Sequence, residues 1–128
     1  MKTIKQIVKF NSSPHEIYSA LINSEKHSAF TEAEAKISEK VGGKISAYDG
    51  WIEGENLELE KNKKIVQKWR GGDWPKGIYS IVKFELKKIK NGTELIFTQT
   101  GVLEEFYEDV KEGWEEYYWK KIKKFLKI

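Results

Sequence analysis

The closing stretch of the chain, from Glu104 onward, limits the possible folds more than any other segment. Read at 3.6 residues per turn, Tyr107, Trp114, Tyr118, Ile122 and Phe125 fall on one stripe. Tyr117, Trp119 and Leu126 widen that stripe, and Glu112, Glu116, Lys120 and Lys123 take the far side. A helix with so many large aromatics on one face requires a broad apolar surface to lie on. Its charges are ordered too. Glu104, Glu105, Glu108, Asp109 and Glu112 come before Lys120, Lys121, Lys123, Lys124 and Lys127, matching the partial charges at the two ends of a helix.

The residues before it supply that apolar surface in pieces. Ile4, Val8 and Phe10 share one side of an opening strand. Ser13 at the N-cap, Pro14 at the first helical position and Glu16 three residues after the cap form a capping box. The helix they start turns Ile17, Ala20 and Leu21 inward and ends by Asn23, and Ser24 caps a second short helical turn through His27. From about Glu32 the period changes to two. Gly42-Gly43 opens a strand with Ile45 and Ala47 inward, and Asp49-Gly50 predicts a type I′ hairpin turn. Ile52 and Gly54 then lie on one parity but Leu57 and Leu59 on the other, which a bulge near Glu55-Asn56 reconciles.

After a turn at Lys61-Asn62-Lys63, Ile65 and Trp69 share a face, and an ordered loop carries Trp74 and Pro75. A long strand with Ile78, Val82, Phe84 and Leu86 inward, a second I′ turn at Asn91-Gly92, and a last strand with Leu95 and Phe97 inward complete the pattern. The expected fold is α+β, as one domain over residues 1–128. A curved antiparallel sheet of about six or seven strands wraps around a long C-terminal helix, with two short helices after the first strand. Such a grip encloses either a filled core or a pocket.

Composition excludes several classes of function. With no cysteine there is neither a disulfide framework nor a thiolate metal site, and no His-x-x-x-His pair offers zinc ligands. His15 sits near the start of a capped helix, where a solvated role is expected. Gly42-Gly43 and Gly71-Gly72 lack the strand-to-helix context of a nucleotide-binding loop. Glu53, Glu55, Glu58 and Glu60 read as a solvated strand face. No catalytic residue, cofactor or metal is therefore predicted, and the chain is not expected to be an enzyme. Of the 23 basic residues only Arg70 is an arginine, and acidic residues are interspersed, so the basic stripe of a nucleic-acid reader is missing. No run is long and apolar enough to span a membrane, and the chain enters its first strand directly, so a cytoplasmic location is expected.

Several short motifs carry a resemblance in their order and spacing. They are Pro14-His15-Glu16-Ile17-Tyr18, Ser28-Ala29-Phe30-Thr31, Gly42-Gly43-Lys44 with Asp49-Gly50, Gly54-Glu55, Lys68-Trp69-Arg70 with Trp74-Pro75 and Gly77, Gly92-Thr93-Glu94-Leu95, and Gly113-Trp114 with Tyr117-Tyr118. From about Ile4 to Leu126 the chain resembles the activator of 90-kDa heat-shock protein ATPase homologue family, a branch of the START-like helix-grip superfamily. The C-terminal domain of the eukaryotic co-chaperone is the nearest match. The resemblance implies a co-chaperone-type domain that binds the 90-kDa heat-shock chaperone in the stress response. In that family a separate N-terminal domain supplies much of the grip on the chaperone, whereas this chain starts at the first strand of the C-terminal-type domain. The alternative is binding or sensing of a small apolar ligand between sheet and helix.

Two sets of candidate residues follow. Ile45, Trp69, Val82, Phe84, Phe97, Trp114 and Tyr118 face inward and either line a ligand cavity or fill the core. Trp51, Arg70, Trp74 and Trp119 are candidates for a partner interface, the three tryptophans because the inner face explains them least.

Overall fold

A computed structural model describes residues 1–126. Strand β1 (Lys2–Phe10) is followed by helices α1 (Pro14–Ile22) and α2 (Ser24–Thr31). A meander then runs through β2 (Lys36–Ile37), β3 (Lys44–Ala47), β4 (Ile52–Glu60), β5 (Lys64–Gly71), β6 (Ser80–Ile89) and β7 (Gly92–Val102). The seven strands form one antiparallel sheet in the order β1-β7-β6-β5-β4-β3-β2, so α1 and α2 carry the chain from one edge to the other. A short 3-10 turn (Glu104–Phe106) leads into the closing helix: α3 (Tyr107–Trp114), a π turn (Glu115–Trp119) and α4 (Lys120–Leu126). This is the α+β helix-grip architecture expected from the sequence.

One face of the sheet carries the core. Ile4, Val8 and Phe10 of β1 join Leu95 and Phe97 of β7, Val82, Phe84 and Leu86 of β6, and Ile65 and Trp69 of β5. Among these apolar groups lie buried amides, and each is paired, as buried polar groups must be. Trp114 Nε1 donates to Gln99 Oε1 (2.7 Å), Gln99 Nε2 donates to Ser80 Oγ (2.8 Å), and Ser80 Oγ donates to the Trp69 carbonyl (3.1 Å). This chain of bonds ties the closing helix through β7 and β6 to β5. A second chain runs from Gln67 to Asn56 and on to the carbonyls of Ser38 and Lys40, pinning the loop before β3.

The Ser13 cap forms, with Ser13 Oγ accepting from the Glu16 amide at 3.2 Å and donating to Glu16 Oε1 at 3.3 Å, in place of the box's return bond to the Ser13 amide. The second cap lies one residue earlier than expected. Asn23 caps α2 by accepting from the Lys26 amide, and Ser24 Oγ instead bridges to the amide and carbonyl of Ile37. The bulge in β4 lies just past its expected place. Asn56 pairs with Gln67 and Glu58 with Val66, so Leu57 is the extra residue and points outward while Leu59 packs on the core.

Neither predicted I′ turn forms. Ala47 pairs with Ile52, so residues 48–51 make a four-residue loop in which Tyr48, Asp49 and Gly50 all have positive φ. Asp49 is drawn into this geometry by Glu34: the Asp49 amide donates to the Glu34 carbonyl, and its carboxylate accepts from the Glu34 amide at 2.7 Å. The second loop is Lys90-Asn91, with Asn91 alone left-handed. Gly92 belongs to β7, where a Cβ would lie 1.9 Å from the Phe10 carbonyl oxygen.

The closing helix corrects the assignment of Trp119. At α-helical spacing it lies at the margin of the Trp114–Tyr118 stripe and is expected at an interface, yet it is 1% exposed. The π turn, in which the Lys120 amide bonds to the Glu115 carbonyl, adds one residue to the turn and brings Trp119 under Trp114. The two indoles stack with centroids 5.5 Å apart, and Trp119 Nε1 donates to Gln6 Oε1 at 2.7 Å.

Two outcomes are expected in urea unfolding. Trp114→Ala removes a ring in contact with Phe97, Phe84, Trp69 and Trp119 and leaves Gln99 Oε1 without its donor, costing about 3–5 kcal/mol. Ser13→Ala and Asn23→Ala each cost about 1 kcal/mol through a lost cap, whereas a loss confined to Ser13 would place the second cap elsewhere.

Candidate functional site

The interior between sheet and helix is nearly full. The space bounded by Leu21, His27, Ile45, Trp69, Phe84 and Tyr118 measures about 20 Å³, room for about one water. At its centre His27, 4% exposed, joins the first helices to the closing one. Its Nδ1 lies 3.1 Å from the Leu21 carbonyl, which can only accept, so this nitrogen carries the proton. Nε2 then accepts from the Tyr118 hydroxyl at 2.9 Å. Burial holds the imidazole down to about 4 and pushes the Tyr118 phenol up.

The open space lies to one side, in a largely apolar cleft of about 600 Å³. Three segments form its walls. The first is the 48–51 loop, whose Tyr48 hydroxyl donates to the Tyr117 carbonyl at 2.6 Å and so ties the loop to the π turn. Burial, followed by the neighbouring Tyr117, raises the Tyr48 phenol. The second is the segment after β5. Here the Trp51 ring lies against Gly71 and Gly72, where a Cβ on either would come within 2.8 Å of it. Bulkier residues at either position would lift the ring away. The third is the closing helix, which contributes Phe106, Asp109, Val110, Glu112, Gly113, Glu116 and Tyr117.

Of the inward candidates, Trp69, Trp114 and Tyr118 border this cleft while Ile45, Val82, Phe84 and Phe97 lie in the core around or beyond it. Of the interface candidates, Trp51 is 47% exposed on the cleft. Trp74 also lines the cleft but is 4% exposed, which corrects its reading as a surface aromatic. It stacks on Phe106 at 5.7 Å and packs edge-on against Trp69. Arg70 is a brace: its guanidinium donates to Glu53 and to the Trp74 carbonyl, fixing the loop that carries Trp74. Trp119 does not line the cleft and packs in the core behind Trp114.

Sequence reasoning missed the acidic side of the cleft. Asp109, Glu112 and Glu116 are spaced three and four residues apart and so share a helix face, one that the stripe assigned to solvent. With Asp73 they are, among the described residues, the only charged side chains lining the cleft, in a chain of net charge +3. Glu116 is paired with Lys120 at 2.8 Å; among the described residues Asp73, Asp109 and Glu112 have no ion-pair partner. Among those residues, too, no three acidic or histidine groups gather closely enough to hold a metal ion, and no helix is long and apolar enough to cross a membrane.

The His27 geometry sets a pH dependence. The folded value lies below the ordinary 6.5, so the unfolded chain takes up the proton first as pH falls. The contribution of neutral His27 is full above about pH 6.5 and is lost progressively towards pH 4, amounting to roughly 3 kcal/mol. His27→Gln should flatten that part of the stability–pH profile in urea unfolding, whereas an unchanged slope would assign it to other groups.

The profile of the family described as "Activator of Hsp90 ATPase homolog 1-like protein" matches residues 11–127. An activator of 90 kDa heat shock protein ATPase homolog from Dictyostelium discoideum is 36% identical over 115 residues, covering 89% of this chain and 30% of that protein. Homolog 1 from Homo sapiens is 34% identical over 114 residues, covering 89% of this chain and 34% of that protein. The chain thus spans about a third of the length of these curated relatives. The crystal structure of an HSP90 activator from Plasmodium falciparum superposes with a TM-score of 0.92 at 27% identity, covering 98% of this chain and 96% of that one.

Proposed function

The chain belongs to the Activator of Hsp90 ATPase homolog 1-like family, and on that premise we propose that it is a co-chaperone-type domain that binds a 90-kDa heat-shock chaperone and stimulates its ATPase. The observation that carries this reading is the Plasmodium falciparum protein. It is described as an HSP90 activator, and its chain matches this one over nearly the full extent of both. The domain acts by docking and contributes no chemistry of its own. His27 is locked between Leu21 and Tyr118, and His15 is engaged with Asn62 at the surface. The half-exposed rings of Trp51 and Tyr117 give the cleft the aromatic anchors that protein interfaces favour. Such a partner would place the chain in the cytoplasm, within the stress response.

A second reading is supported by one observation: the cleft volume of about 600 Å³ lies in the range of small-molecule sites. An apolar ligand would then lie in the open cleft, against Trp69, Trp114 and Tyr118, and not between sheet and helix.

Titration calorimetry or co-sedimentation with the 90-kDa chaperone separates the two. The curated relatives are about three times longer, and linked modules gain affinity through effective concentration. This domain alone is therefore expected to bind in the micromolar range and to raise the chaperone's ATP turnover. Its many lysines should make the affinity fall several-fold between about 50 and 200 mM salt. No binding at tens of micromolar protein in low salt would overturn the chaperone reading and favour the small ligand.

A further inference from the structure

We propose that the cleft recognises a basic side chain, Lys or Arg, presented on a partner protein's segment, with the aliphatic stem on the aromatic floor and the cation against Asp73, Asp109 and Glu112. Charge complementarity is the first ground. The protein carries a net charge of +3, yet among the described residues all four charged side chains bordering the cleft are carboxylates, and three of them have no ion-pair partner. A basic segment is repelled by the net charge of the molecule, and at the cleft it meets, among the described residues, carboxylates and no lining cation. The carboxylates are too dispersed to gather on a metal ion, a spacing that suits an organic cation carried on a long stem. Half-exposed Trp51 and Tyr117 supply ring faces that favour a cation and cover its methylenes.

The second ground is independent of charge. Trp74 is 4% exposed, and its Nε1 is a buried donor with no partner among the described residues. A Cβ built on Gly71 would lie 3.1 Å from that nitrogen and 2.8 Å from Cη2 of Trp51, so the unpaired donor lies between the Gly71 backbone and the Trp51 ring that borders the cleft. A buried amide-like donor is rarely left unpaired. The group that would satisfy it is a carbonyl, which a peptide backbone carries and a bare alkylammonium lacks.

Gly113 adds a third ground. It stands mid-helix on the cleft side, where glycine is disfavoured, with room for a Cβ whose nearest neighbour would be Tyr117 Cδ2 at 3.6 Å. Its bare backbone leaves the floor open.

This assignment rests on the reading that the partner is a protein, and it is tested without the chaperone. The probe is a short capped peptide with a central Lys-Leu-Arg, titrated against the full chain by tryptophan fluorescence and calorimetry. The same peptide with Glu in place of both basic residues, and butylammonium alone, serve as controls. The basic peptide should bind, and the acidic one should bind at least about tenfold more weakly. Asp109→Lys combined with Glu112→Lys should weaken the basic peptide by about tenfold or more. Gly113→Leu, which fills the floor from a helix position that tolerates it, should abolish binding while the unfolding midpoint holds. Equal affinity for both peptides, or charge reversal that changes affinity less than about twofold, overturns the proposal. Butylammonium binding as tightly as the peptide would reassign the cleft to small organic cations. Peptide binding without chaperone binding would defeat the proposed function alone. Chaperone binding untouched by the cleft variants would defeat this inference alone.

Discussion

Two indoles five residues apart must face the same sheet, and an α-helix cannot aim both there. At 3.6 residues per turn, Trp114 and Trp119 would diverge by about 140°. The π turn over Glu115–Trp119 removes that divergence, stacking the rings and sending each N–H to its own glutamine, Trp114 to Gln99 and Trp119 to Gln6. Those glutamines stand on β7 and β1, so the two bonds fix the helix against the adjacent pair of strands at one edge of the sheet. The weaker hydrogen-bond geometry of a π turn is offset by burial of two of the largest side chains and by two satisfied buried donors.

The cleft is a consequence of the same turn. Tyr118 points inward to His27 while Tyr117, one residue before it, stays exposed and offers its carbonyl to Tyr48. The 48–51 loop, with its run of left-handed residues, is held open against the helix by that bond and by the Asp49–Glu34 clasp. Trp51 at its end then comes to rest on Gly71 and Gly72. Packing of the helix, conformation of the loop and placement of the exposed ring are one linked arrangement.

Some local features are legible in the sequence, although the cap of α2 falls at Asn23 because Ser24 is engaged by Ile37. The Ser13 cap ahead of Pro14 is a purely local signature and forms as read. The parity change in β4 required an extra residue, and Leu57 provides it. The turns at Asp49-Gly50 and Asn91-Gly92 were misplaced because their dipeptides answer to distant partners: Glu34 holds Asp49, and the Phe10 carbonyl excludes a Cβ at Gly92. Trp119 was misread because a constant helical period carries no sign of a π turn, which arises from tertiary packing. The acidic rim was legible in the spacing of Asp109, Glu112 and Glu116. The far face of an amphipathic helix is ordinarily solvated, and only the 48–51 loop and the Trp74 segment turn it into a wall.

The core and the cleft obey different rules. Under the closing helix the buried amides of Gln67, Asn56 and Gln99 and the indoles of Trp114 and Trp119 are paired, and His27 stays neutral between its partners. Around the cleft the local rules are broken together: an aromatic residue, Tyr48, at positive φ, a mid-helix glycine with room for a side chain, a buried indole donor unpaired, and like charges gathered on one side. Each is a cost that a sequence selected for stability alone could remove, Gly113 by a single methyl group. Costs of this kind persist where surrounding structure enforces them and where binding repays them. The Tyr48 bond to the π turn and the Arg70 brace on the Trp74 loop provide the enforcement. A partner that neutralises the rim and accepts from Trp74 would provide the repayment, which is why the cleft, more than any other part of the surface, is assigned the binding role.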